Sequence, residues 1–191
     1  TPGIIGMFTS NGADSATSTE PNMGTLDAIA ASYQPTILSY EEALQSGETS
    51  ATVYVNLGNA YFDWALEVQS AASQGLVPTG ADTSLWLTSV TYYEQAVAAG
   101  ETTPQVLTDM AVAQFYSGDT DGAIASVQQA IEGSPDFLLA HYNAGIFYAA
   151  AGSTGDAVAA FERYLELDPG DSPERTQYVQ DQLAELEAGG Q

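Results

Sequence analysis

The chain of 191 residues carries 25 acidic and 2 basic side chains, a formal charge of −23 at neutral pH, and no cysteine. With Arg163 and Arg175 as its only fixed cations, it has nothing to neutralise phosphates, which excludes nucleic acid as a partner, and it repels anionic lipid headgroups. Disulfides, thiolate metal sites and cysteine nucleophiles are excluded as well, while 45% apolar residues are enough to build one globular core.

Residues 1–24 read as an extended arm. Its tip, Pro2-Gly3-Ile4-Ile5-Gly6-Met7-Phe8, precedes a Ser/Thr/Gly/Asn-rich tether from Thr9 to Thr19. Ile4, Ile5, Met7 and Phe8 are unfavourable in water, and each large apolar side chain is worth about 1.5–3 kcal/mol when fully buried. They are therefore expected to find cover, on another copy of the chain or on their own domain; the tail of a removed membrane anchor is the other reading. The tether hydroxyls suit O-glycans, whereas none of the five asparagines lies in an N-x-S/T sequon. No run of about 18 apolar residues occurs, so no direct membrane insertion of this chain is expected. The start at Thr1 reads as a processed end, with simple trimming as the alternative, and the lysine-free surface reads as extracytoplasmic, secreted or at the cell surface. Halophilic adaptation is the competing account of the acidity.

From 26 to 48, Tyr33, Ile37, Tyr40, Ala43 and Leu44 form the stripe of an amphipathic helix, started or kinked by Pro35. Between 51 and 102, Tyr54, Leu57, Gly58 and Tyr61 belong to one helix, prolonged through Trp64, Leu66 and Val68. A loop from Ser73 to Thr83 follows, and then a second helix carrying Tyr93, Ala96 and Val97.

In the second half, Ala111, Gly118, Ala123, Val127 and Pro135 recur 34 residues later as Gly145, Gly152, Ala157, Phe161 and Pro169. Small residues inside both helices let two axes approach closely. Gly118 and Gly152 stand where a left-handed residue ends a first helix. Thr103-Pro104, Ser134-Pro135 and Ser172-Pro173 each offer an N-cap followed by proline. From Pro173 to Glu187, Val179, Leu183 and Leu186 share one face, suited to covering the end of a stack.

The 34-residue period, with Ala144, Gly145, Tyr148, Ala157, Phe161 and Pro169 in the second unit, resembles the tetratricopeptide repeat (TPR). The resemblance implies an all-α, TPR-like α-solenoid of helix-turn-helix units at about 51–102, 104–137 and 138–171, within a repeat domain 25–191 that ends in a capping helix at 173–187. Gly58 and Ser89 lie 31 positions apart where Ala111 and Ala123 lie 12 apart, so the first unit holds a 19-residue insertion by difference.

The family lines its concave face with first helices. Carried over, these positions are Val55, Asn56, Asn59, Phe62 and Asp63, then Thr108, Asp109, Val112, Phe115 and Tyr116, then Tyr142, Asn143 and Ile146. Amides can pair with an extended peptide backbone while aromatics supply apolar contact; some of these positions are also expected merely to face water. Relatives that clamp a carboxylate terminus do so with Lys and Arg. None of these groove positions is basic, so an anionic tail would meet Asp63 and Asp109 instead, and a neutral, apolar or N-terminally charged peptide fits better.

No cofactor, metal or catalytic set is expected. The single histidine, His141, reads as packing, and no phosphate-binding loop, dinucleotide motif or nucleophile elbow occurs. Asp119-Thr120-Asp121-Gly122 lacks the glutamate that closes a calcium loop and reads as a helix cap. Loose Ca²⁺ binding at Asp168 and Asp171 stays open. The expectation is a non-enzymatic interaction or structural protein, self-assembling into a filament or ring through its arm. The alternative is a monomeric adaptor for an extended apolar peptide.

Overall fold

A computed structural model describes residues 23–168 and 170–189. They form α1 (Met23–Gln45), α2 (Ala51–Ser73), α3 (Thr83–Ala98), α4 (Pro104–Tyr116), α5 (Thr120–Gly133), α6 (Leu138–Ala150), α7 (Thr154–Leu167) and α8 (Pro173–Gly189), with no strand among the described residues. The arm residues Ile4, Ile5, Met7 and Phe8, with the tether, lie outside the described residues, and α1 starts two residues inside the span read as arm.

Each helix packs on the next. In addition α2 touches α4, and α4 touches α6, whereas α3–α5 and α5–α7 show no comparable packing. The first helices of the units are therefore crowded together on the inner side of the stack, and the second helices are splayed on the outer side. This is the α-solenoid expected from the repeat.

A volume rule holds the pairs together. Gly145 faces Phe161 so closely that a Cβ there would overlap the ring, and a Cβ on Gly58 would stand 2.7 Å from the ring of Tyr93. Ala111 and Val127 hold the same positions in the middle unit, and all three ring or branched partners are fully buried. A notch without a side chain takes an aromatic knob, and a notch with one methyl takes a valine, so the filled volume stays roughly constant. The sequence pattern of small residues is thus better described as small against large than as small against small.

The helix ends follow the local chemistry. Gly118 and Gly152 have φ of 96° and 76°, conformations reached without strain only by glycine. Asp119 caps α5, accepting a hydrogen bond from the Gly122 amide at 2.9 Å. Two expectations are corrected. Pro35 neither starts nor breaks α1: it sits inside the helix on the exposed side, where the carbonyl it leaves unpaired, that of Ala31, meets water. Ser134-Pro135 does not cap α6, which begins at Leu138 behind Phe137. Ser134 instead ends α5 and accepts the Phe137 amide at 3.0 Å in a turn.

The α1–α2 turn duplicates the α3–α4 turn. Tyr40, Glu41, Ala43, Gly47, Glu48 and Thr49 recur 53 positions on as Tyr93, Glu94, Ala96, Gly100, Glu101 and Thr102. Gly47 and Gly100 have φ of 96° and 97°. Glu48 and Glu101 donate their amides to the carbonyls of Ala43 and Ala96 at 3.0 and 2.9 Å. Helix α1 is therefore the second helix of a unit whose first helix is not among the described residues.

Candidate functional site

The inner side carries the residues read as a groove, and the structure divides them. Val55, Asn56, Asn59, Asp109, Phe115, Tyr116 and Ile146 are half-buried and Asp63 is exposed, so these eight remain accessible. Phe62, Thr108, Val112, Tyr142 and Asn143 are buried, and as lining residues they are corrected to interior ones. Phe62 turns to the edge of Trp86 at 5.2 Å and of Tyr93 at 6.5 Å between ring centres. Tyr142 is covered by α8, whose Tyr178 lies 6.0 Å from it.

At the N-terminal end of the groove four groups converge. The Tyr93 hydroxyl donates to the Asn59 side-chain oxygen at 2.7 Å. Burial raises the Tyr93 hydroxyl well above its ordinary value, and the charges of Asp109 and then Asp63 raise it further. Burial also pushes Asp109 up to about 7, with the Asp63 carboxylate adding to the rise. Asp63 is itself raised by partial burial. The carboxylates stay unneutralised by any arginine: Arg163 is bound to Asp136 and Glu166 at 2.5 and 2.7 Å on the outer surface. Such a site disfavours an anion and favours a neutral donor or a cation.

Toward the middle the lining becomes aromatic. Tyr116 stacks on Trp86 at 5.0 Å and meets Phe115 at 5.6 Å, while Phe115 meets Phe147 at 4.8 Å. Trp86 is fully buried, with its indole N–H donating to Asp82 at 2.7 Å. At the C-terminal end Arg175 lies 5.8 Å over the Tyr142 ring. An arginine thus does approach one of the residues read as groove lining, but beneath α8 rather than in the open channel.

The sequence reading missed Trp86, Tyr93 and Tyr178. Tyr93 was legible in principle, because it falls 35 positions after Gly58 where Val127 and Phe161 fall 16 after Ala111 and Gly145; the difference is the inserted 19. His141 behaves as a packing residue, 8% exposed with its Nε2 2.8 Å from the Pro135 carbonyl oxygen. Asp168 accepts from the Gly170 amide at 2.9 Å and from the Thr176 hydroxyl, local bonds that tie the α7–α8 turn.

Fold and groove together define an α-solenoid of the protein–protein interaction class. The family model described as tetratricopeptide repeat matches residues 108–172, so the paired helices of the second half are tetratricopeptide repeats and the chain is a TPR protein. No curated protein is significantly similar to it. Among solved structures, the crystal structure of MamA superposes with a TM-score of 0.61 at 17% identity, over 86% of this chain and 90% of that one. YrrB, described as a TPR protein with an unusual peptide-binding site, gives 0.59 at 17% identity over 87% and 84%. The first TPR of Spaghetti (RPAP3), bound to the HSP90 peptide SRMEEVD, gives 0.54 at 20% identity over 73% and 94%. At these identities the likeness is one of fold.

Proposed function

We propose that the chain is a non-enzymatic structural protein that works outside the cytoplasm, and that its copies are linked end to end through the apolar arm. The observation that carries this reading is the difference between the two ends of the stack. At the C-terminal end α8 closes the last unit: Val179 is fully buried with Phe161, Tyr142 and Tyr164, and Tyr178, Leu183 and Leu186 pack around them. At the N-terminal end the stack begins on α1, a second helix without its first among the described residues, and the segment next to it in sequence is the arm. A contact between unlike ends propagates a ring or an open filament.

Copies of charge −23 repel one another unless salt screens them over about 8–10 Å. Association should therefore weaken at low ionic strength. Light scattering and negative-stain microscopy of the full chain, beside a chain lacking residues 1–12, test the reading. Large species that grow with concentration and vanish on deletion support it. Assemblies that persist without the arm overturn it.

A second reading, an adaptor for an extended peptide, is favoured by the uncovered groove residues Asn59, Asp63 and Asp109. Because Asp63 and Asp109 repel an acidic segment, the fitting ligand is an apolar or neutral peptide. A stable monomer that binds such a peptide, and loses it on Asn59→Ala, would support this reading over the first.

A further inference from the structure

We infer that the uncovered face of α1, around Thr36 and Tyr40, is the socket for the arm of a neighbouring copy, with Gly6 seated over the Tyr40 ring. The inference rests on the end-to-end linkage proposed above and gives it a place.

The socket is defined by the duplicated turn. In the register that superposes Tyr40 on Tyr93, Thr36 falls on Ser89. Ser89 is fully buried and its hydroxyl donates to the Gly58 carbonyl at 2.9 Å, while Tyr93, also fully buried, fills the notch at Gly58. In α1 the same two positions lack that cover: Thr36 is exposed and Tyr40 only half-buried, with Leu38 beside them 55% exposed. A hydroxyl and an aromatic knob are thus set out for a backbone that brings a residue without a side chain.

The charge and the chain around Gly6 match this demand. Gly6 stands between Ile5 and Met7-Phe8 as Gly145 stands between Ala144 and Ile146-Phe147, a notch residue flanked by apolar ones. No charged side chain occurs before Asp14, so the arm reaches a second acidic copy without adding repulsion. The 14 residues from Thr9 to Asn22 span up to about 45 Å when extended, against about 25 Å along α1 from Met23 to Tyr40. The tether therefore extends past its own helix.

The other candidate, α8 of a neighbour, does not fit. Val179 stands 34 residues after Gly145, at the notch position, where even a single Cβ overlaps a facing ring. The outward residues of α8 include exposed Gln177, Gln180 and Asp181, which suit water. One end of the stack is closed and the other has an open socket.

The natural absence of cysteine makes engineered disulfides a clean test. Full-length Thr9→Cys and Thr36→Cys proteins, differently tagged and mixed in physiological salt, should form a mixed disulfide dimer on mild oxidation. Gly6→Leu should abolish that dimer and weaken association about 10- to 100-fold, as expected for extra methylenes forced into a packed site; it should leave the helical circular dichroism unchanged. If the double variant Thr9→Cys/Thr36→Cys yields only an internally bridged monomer, the socket holds its own arm and the inference is overturned. Assemblies that form without any disulfide between the two introduced thiols overturn the socket and leave the linkage standing. A full chain that stays monomeric at every salt concentration overturns the linkage, and the socket with it.

Discussion

The stretched unit, α2–α3, and the regular units, α4–α5 and α6–α7, solve one packing problem with different materials. In all three a knob on the second helix faces a notch on the first: Tyr93 over Gly58, Val127 facing Ala111, Phe161 over Gly145. The inserted 19 residues leave that contact untouched. They lengthen both helices away from it and bring Trp86 under Tyr116 of the next unit. The comparison teaches that a repeat tolerates insertion where the helices part, because only the crossing point fixes how close the axes come.

The most damaging test is on the stretched side. Trp86→Ala removes a fully buried ring that touches Phe62 and Tyr116, and should cost about 3–5 kcal/mol in urea unfolding. A loss below about 1 kcal/mol would mean that the insertion contributes no core and that the likeness between the units ends at the notch.

Next comes the notch rule itself. Gly145→Ala should destabilise by about 1–3 kcal/mol through overlap with Phe161. In a Phe161→Val background, which reproduces the Ala111/Val127 pairing, the same change should cost nearly nothing, so the double-mutant cycle is strongly non-additive. The matching cycle with Gly58→Ala and Tyr93→Val should give the same sign; additivity there would separate the stretched unit from the regular ones.

Smaller again is the electrostatic effect between the two regions, where Asp63 of α2 faces Asp109 of α4. The Asp109 carboxyl is raised to about 7 in the fold, so the folded state prefers it protonated. The protein should be most stable below the ordinary carboxylate range, near pH 4, and should lose stability as pH rises toward 7, with no further loss from this group above that. Asp109→Asn should remove this slope and stabilise the protein at neutral pH by up to about 3 kcal/mol, read from thermal unfolding between pH 4 and 8. A flat wild-type profile over that range would show Asp109 to be well solvated. The smallest effect is expected at Arg163, whose partners Asp136 and Glu166 are on the exposed surface. Arg163→Gln should leave the unfolding midpoint unmoved.

Much of the architecture was legible because it is periodic. Gly118 and Gly152, 34 residues apart, end their helices with positive φ as expected, and Asp119 caps α5 rather than closing a metal loop. Ser134-Pro135 misled because the same dipeptide chemistry serves a turn as well as a cap. The groove was legible only by half. Asn59, Asp63 and Asp109 are where first-helix positions should be, but Tyr142 has the same register and is buried, because α8 lies over it.

Spacing alone determined that this protein stacks paired helices, where they end, and which residues face inward, since these follow from the 3.6-residue turn and from the backbone freedom of glycine. Only the tertiary structure decided which inward residues meet water, that Asp109 is desolvated beside Asp63, and that α1 repeats α3 without the cover α3 receives. Those properties depend on neighbours distant in sequence, and a linear pattern carries no information on what lies across from it.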